Sequence, residues 1–102
     1  MSSTGTQYES HVKDKNIVNL PKLYQVLLHN DHYTTMEFVV FILQKIFNKP
    51  YEDAMRIMLK VHREGIGVAG IYIRSVAEAK VETVHKLARQ NGFPLRCSIK
   101  PE

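Results

Sequence analysis

The chain has 102 residues, a formal net charge of +4 and a hydrophobic content of 44%. That length suits one domain with one core, and that composition excludes overall disorder. No apolar run is long enough to span a bilayer and no signal-peptide core opens the chain, so a cytoplasmic location is expected.

Cys97 is the single cysteine, which excludes an internal disulfide and a thiolate metal cluster. The 14 Lys and Arg residues are interleaved with 10 Asp and Glu and form no basic run. A nucleic-acid partner would need clustered Lys and Arg with stacking aromatics, so neither nucleic acid nor a membrane is expected as a partner.

Residues 1–20 are polar and without periodicity, and read as a flexible N-terminal tail ending at Pro21. Leu23 to Leu28 follows as a strand, with Tyr24, Val26 and Leu28 on one face and Leu23, Gln25 and Leu27 on the other. Asn30, Asp31 and His32 form a polar turn after it. Thr34 with Glu37 three residues later reads as a capping box, opening a helix from Thr35 to about Phe47. Phe38, Val39, Ile42, Leu43 and Ile46 are its apolar stripe. Pro50 is expected at the first position of a second helix, with Glu52 and Asp53 in its positive first turn. Ala54, Ile57, Met58 and Val61 make its stripe, His62 lies one turn past Met58, and Gly65 stops it. The short link makes the two helices a hairpin.

Ile66 to Arg74 reads as a strand, and two glycines within it predict a bulge or the close approach of another segment. Ser75 to Glu78 reads as a second capping box, opening a third helix to about Gln90 with Ala77, Val81, Val84 and Ala88 inward. Leu95 to Ile99 is a last short strand. The fold class is α+β in the order βααβαβ. A three-stranded, mainly antiparallel sheet should carry three helices on one face.

Little in this pattern supports catalysis. His29 and His32 lie three apart with no third ligand implied, whereas a catalytic zinc usually has three. No metal, cofactor or catalytic residue is expected. Cys97 has no evident base, His85 is expected at the surface, and Gly65, Gly67 and Gly70 do not form a phosphate loop. What remains is a mixed constellation. Asn30 and Asp31 offer oxygen acceptors and His62 a ring nitrogen, while Met36, Val39, Met58, Val61 and Leu95 offer an apolar wall. An apolar cup with acceptors at its rim suits a cation beside an apolar side chain, as at the first residue of a peptide. Taken alone, a stripe of this kind reads more readily as ordinary core.

Four segments, LHNDHYTTMEF (Leu28–Phe38), LKVHREG (Leu59–Gly65), VAEAKV (Val76–Val81) and FPLRC (Phe93–Cys97), resemble the ClpS adaptor family. The resemblance spans about Pro21 to Ile99 and makes residues 21–102 a ClpS-like adaptor domain. It implies a non-enzymatic, monomeric adaptor that recognises proteins beginning with Leu, Phe, Tyr or Trp. The adaptor would deliver them to a Clp-type AAA+ unfoldase and its protease, docking on the N-terminal domain of a ClpA- or ClpC-like partner. By matching positions it assigns Asn30, Asp31, His32 and His62 to the substrate's N-terminus. Thr34, Met36, Val39, Met58, Val61 and Leu95 would form the side-chain pocket, and Ser75, Glu78 and Lys80 would contact the unfoldase. His32 and Ser75 stand where the family often has an acidic residue, and Thr35 where proline is frequent.

Overall fold

Strand β1 runs Leu23–His29, followed by helices α1 (Met36–Lys45) and α2 (Tyr51–Glu64), strand β2 (Ile66–Ile73), helix α3 (Arg74–Gln90) and strand β3 (Arg96–Pro101). The computed structural model describes residues 20–102. The expected tail therefore lies, but for Leu20, outside the described residues. The order is βααβαβ, as the patterns predict, and the sheet is antiparallel throughout in the order β2-β1-β3.

Alternation along β1 decides which face is covered. Val26 and Leu28 are fully buried while Leu23 and Gln25 on the opposite face are not. The helices supply the other half of the core. Ile42 and Leu43 of α1, Ala54 of α2, and Ala77, Val84 and Ala88 of α3 are all fully enclosed. Small residues on α3 let that helix lie close against the strands.

The helix starts differ from the expected ones. The Thr34 hydroxyl donates to the Asp31 carboxylate at 2.7 Å, so Thr34 is not free to cap. Thr35 caps instead: its Oγ1 accepts the Phe38 amide at 3.1 Å, and α1 begins at Met36. The residue three beyond Thr35 is Phe38, which cannot reciprocate, so the Thr34–Glu37 box does not form. Pro50 is not the first helical residue of α2 but its N-cap. Its ψ of 156° is extended, and its carbonyl accepts the Ala54 amide at 2.9 Å. The second box is also absent. Strand β2 passes directly into α3, Ile73 is the N-cap without a side-chain bond, and Glu78 pairs with Arg74 at 3.4 Å.

Both strand glycines behave as the sequence implies. Val26 pairs with Gly70 and Leu27 with Val68, leaving Ala69 as the extra residue of a bulge. A Cβ on Gly67 would lie 2.8 Å from Val61 Cγ2, so α2 can approach β2 only because a glycine stands there. His85 is not a surface residue. It is half-buried, and its Nε2 accepts the Cys97 amide at 3.0 Å. Burial, aided by Arg89 and Arg96, holds its pKa below the ordinary imidazole value, which suits a neutral acceptor. Burial pushes the Cys97 thiol up to about 12, so it behaves as a small core residue.

Gly67→Ala forces Val61 and α2 away from the sheet. Overpacking of this kind costs about 1–3 kcal/mol. Urea unfolding should show the variant's midpoint clearly lowered with an unchanged slope. An unchanged midpoint would mean that α2 has room to retreat.

Candidate functional site

The corner between β1 and α1 is a short polar turn whose shape is set by Asp31. Its Oδ1 accepts the amides of Tyr33 at 2.8 Å and Thr34 at 2.7 Å, and its Oδ2 accepts the Thr34 hydroxyl. Asp residues favour such turns because the short side chain reaches backbone donors two and three residues on. Burial alone would raise the Asp31 pKa. The amide and hydroxyl of Thr34, the Tyr33 amide and nearby His32 together outweigh it and hold the carboxyl below its ordinary value. Its contribution to stability is therefore complete above the unfolded-state pKa and is lost as pH falls toward the lower folded-state value. At neutral pH the corner carries a fixed negative charge.

A second set of bonds brings the end of α2 to this corner. Gly65 ends α2 in the left-handed conformation, φ 89°, with its amide bonded to the Val61 carbonyl. The Gly65 carbonyl then accepts the Asn30 amide at 2.9 Å. His62, in the last turn of α2, is thereby set beside Asn30 and Asp31.

The result is a cavity of about 520 Å3 between the corner and the helix hairpin. Asn30, Asp31, His32 and His62 stand at its polar side, and Thr34, Met36, Val39, Met58 and Val61 line the rest. Val39, Met58 and Val61 are less than a tenth exposed, so they are floor and core at once. Met36 is 41% exposed and forms the open edge. Every residue expected at the substrate's N-terminus or side chain, except Leu95, thus lines this one cavity. Leu95 is only 1% exposed and belongs to the core rather than to the lining. It is held there as the loop before β3 is drawn in, since Arg89 Nη1 donates to the Phe93 and Leu95 carbonyls at 2.8 and 3.0 Å.

Tyr33, Thr35 and Glu37 also line the cavity. The capping-box reading accounts for Glu37 at the helix start and so leaves it out of the expected site, although an acidic residue in the first turn, just past Asp31, is the signal that marks it. Asp31 and Glu37 therefore both line a cavity with an apolar floor. No grouping of three His, Cys, Asp or Glu able to hold a metal occurs among the described residues. His29 bonds Ser98 across the sheet at 2.7 Å.

The remaining predicted positions lie elsewhere. Ser75 and Lys80 line a separate groove of about 590 Å3 between the end of α1 and the start of α3. Lys80 Nζ donates to the Ile46 carbonyl at 2.7 Å and sits 5.5 Å from the Tyr72 ring centroid. Glu78 does not line that groove and is engaged with Arg74. No helix among the described residues is long and apolar enough to cross a membrane.

Comparison with known proteins gives a consistent result. The family model of ATP-dependent Clp protease adaptor protein ClpS matches residues 19–98. The ClpS adapter of Lawsonia intracellularis is 66% identical over 83 residues, covering 81% of this chain and 76% of that one. That of Desulfatibacillum aliphaticivorans is 61% identical over 82 residues, 80% of this chain and 79% of that one. Agrobacterium tumefaciens ClpS2, solved with bound L-phenylalaninamide, superposes with a TM-score of 0.77 at 39% identity, covering 80% of this chain and 99% of that one. The chain belongs to the family of ATP-dependent Clp protease adaptor protein ClpS.

Proposed function

We propose that this adaptor binds the free N-terminus of proteins beginning with Leu, Phe, Tyr or Trp and delivers them to the ATP-dependent Clp protease. One observation carries the reading: the cavity joins an acceptor-rich rim directly to an apolar floor. An α-ammonium offers three donors and a positive charge. Asn30 supplies an amide oxygen, Asp31 a lone pair left over from its turn bonds, and His62 a ring nitrogen. Beneath them Val39, Met58 and Val61 present an apolar surface already excluded from solvent. Burying a Leu or Phe side chain there contributes about 1.5–3 kcal/mol. Only a residue with both a free ammonium and a large apolar side chain uses both halves. The bound ligand of the related Agrobacterium protein, L-phenylalaninamide, has this chemistry.

The protein is an adaptor and not an enzyme. The finer reading places it in the cytoplasm as a monomer. It docks through the start of α3, where Ser75 and Lys80 line an apolar groove and Glu78 pairs with Arg74 outside it, on the N-terminal domain of a ClpA- or ClpC-like unfoldase. The start of α3 follows Ile73, which pairs with Leu23 at one end of β1, whereas Asn30 and Asp31 follow His29 at the other end, so substrate and unfoldase can be held together.

Acetylating the N-terminus of a Leu-initiated peptide removes its charge and two donors. Each charged hydrogen bond is worth about 1.5–3 kcal/mol, so fluorescence anisotropy should show binding weakened at least tenfold. Equal affinity for free and acetylated peptides would overturn the proposal. His32 lines the polar side of the cavity where a carboxylate would add a fixed charge. His32→Asp should tighten the free peptide at neutral pH by about two- to fivefold, corresponding to ~0.5–1 kcal/mol for an exposed ion pair. An unchanged affinity would place that side chain away from the ammonium.

A further inference from the structure

A second cavity, of about 370 Å3, adjoins the first and is lined by Met36, Glu37, Val40, Tyr51, Met55 and Met58. Met36, Glu37 and Met58 line both cavities, so the two hollows share a wall. The new hollow is largely apolar and open. Its mouth is edged by Tyr51, 59% exposed, and Met36, 41% exposed. Its residues fall on facing edges of the helix hairpin: Met36 and Val40 are one turn apart on α1, while Tyr51, Met55 and Met58 follow at three- and four-residue spacing on α2. Methionines adapt to varied apolar shapes because the thioether is unbranched and polarizable.

The reading of the first cavity, on which this inference rests, fixes one end of the ligand. The ammonium lies at the rim made by Asn30, Asp31 and His62. The shared wall, Met36, Glu37 and Met58, is built from α1 and the middle of α2 and contains none of the rim residues. Its exposed member, Met36, is what a chain running from the rim along the open edge would pass. In an extended peptide successive side chains point to opposite sides, and residues one and three face the same surface about 7 Å apart. We infer that the second cavity is a subsite for the third residue of the same substrate and accepts a large or long apolar side chain there. The second residue's side chain points away from the surface and is read little.

The test uses the full chain and labelled peptides that begin with free Leu and otherwise carry Ala at positions two to four. Met, Leu or Phe is introduced at one of these positions at a time. At position three each should tighten binding about fivefold over Ala, the return for burying one or two methylenes in an open groove. At positions two and four the series should be flat. Tyr51→Ala changes an exposed side chain and leaves the core intact; Met55→Ala, at a half-buried position, is checked by circular dichroism. Either variant should abolish the position-three gain while leaving the affinity of the all-Ala peptide unchanged. A gain confined to position two, a flat series at all positions, or a gain that survives both variants would overturn the inference. Failure of every free-Leu peptide to bind would overturn the reading of the first cavity, and this inference with it.

Discussion

The hydrogen bond from the Asn30 amide to the Gly65 carbonyl, 2.9 Å long, joins the two ends of the structure that make the site. One end is the turn where β1 gives way to α1. The other is the left-handed cap that terminates α2. A side chain at position 65 would be strained at φ 89°, so the cap depends on glycine, and with it the placement of His62 beside Asn30 and Asp31. On the corner side, Asp31 organises its own turn through bonds to Tyr33 and Thr34. The carboxylate proposed to hold the ligand's ammonium is thus also the one that shapes its own loop. On the proposed reading, binding at this corner would require little reordering, which would limit its entropic cost.

The floor has a similar double role. Val39, Met58 and Val61 are core residues by burial and pocket residues by position. The choice between core and ligand wall that the sequence leaves open is therefore not a choice in the folded protein. Gly67 matters for the same reason. Its missing side chain admits Val61, and Val61 is floor. On the proposed reading, substitutions in this region would act on stability and binding together, whereas Met36, exposed at the edge, would act on binding alone.

Much of this was legible in the residues. Alternation along Tyr24–Leu28, the stripes on the three helices and the glycine stop at Gly65 predict the fold, and the bulge follows from the glycines of β2. The start of α1 was not legible, because three hydroxyl and carboxyl groups within five residues, Asp31, Thr34 and Thr35, can pair in several ways. The pairing of Asp31 with Thr34 passes the cap to Thr35. Ser75 and Glu78 carry a capping pattern, but the direct passage of β2 into α3 at Ile73 puts Ser75 inside the helix. Leu95 has the composition of a pocket residue, yet Arg89 draws its segment inward. His85 becomes internal only because α3 packs against β3, a contact that local sequence does not encode.

The central claim is that the corner at Asn30–Thr34 and the end of α2 form one preformed site for a free N-terminus. Amide chemical-shift mapping with a Leu-initiated peptide tests it most directly. The account predicts saturable shifts concentrated at Asn30 to Met36 and at Met58 to Gly65, with the amides of β3 and the C-terminal half of α3 unmoved. Shifts centred instead on the outer sheet face or on the groove between α1 and α3, with the Asn30–Gly65 region silent, would contradict it.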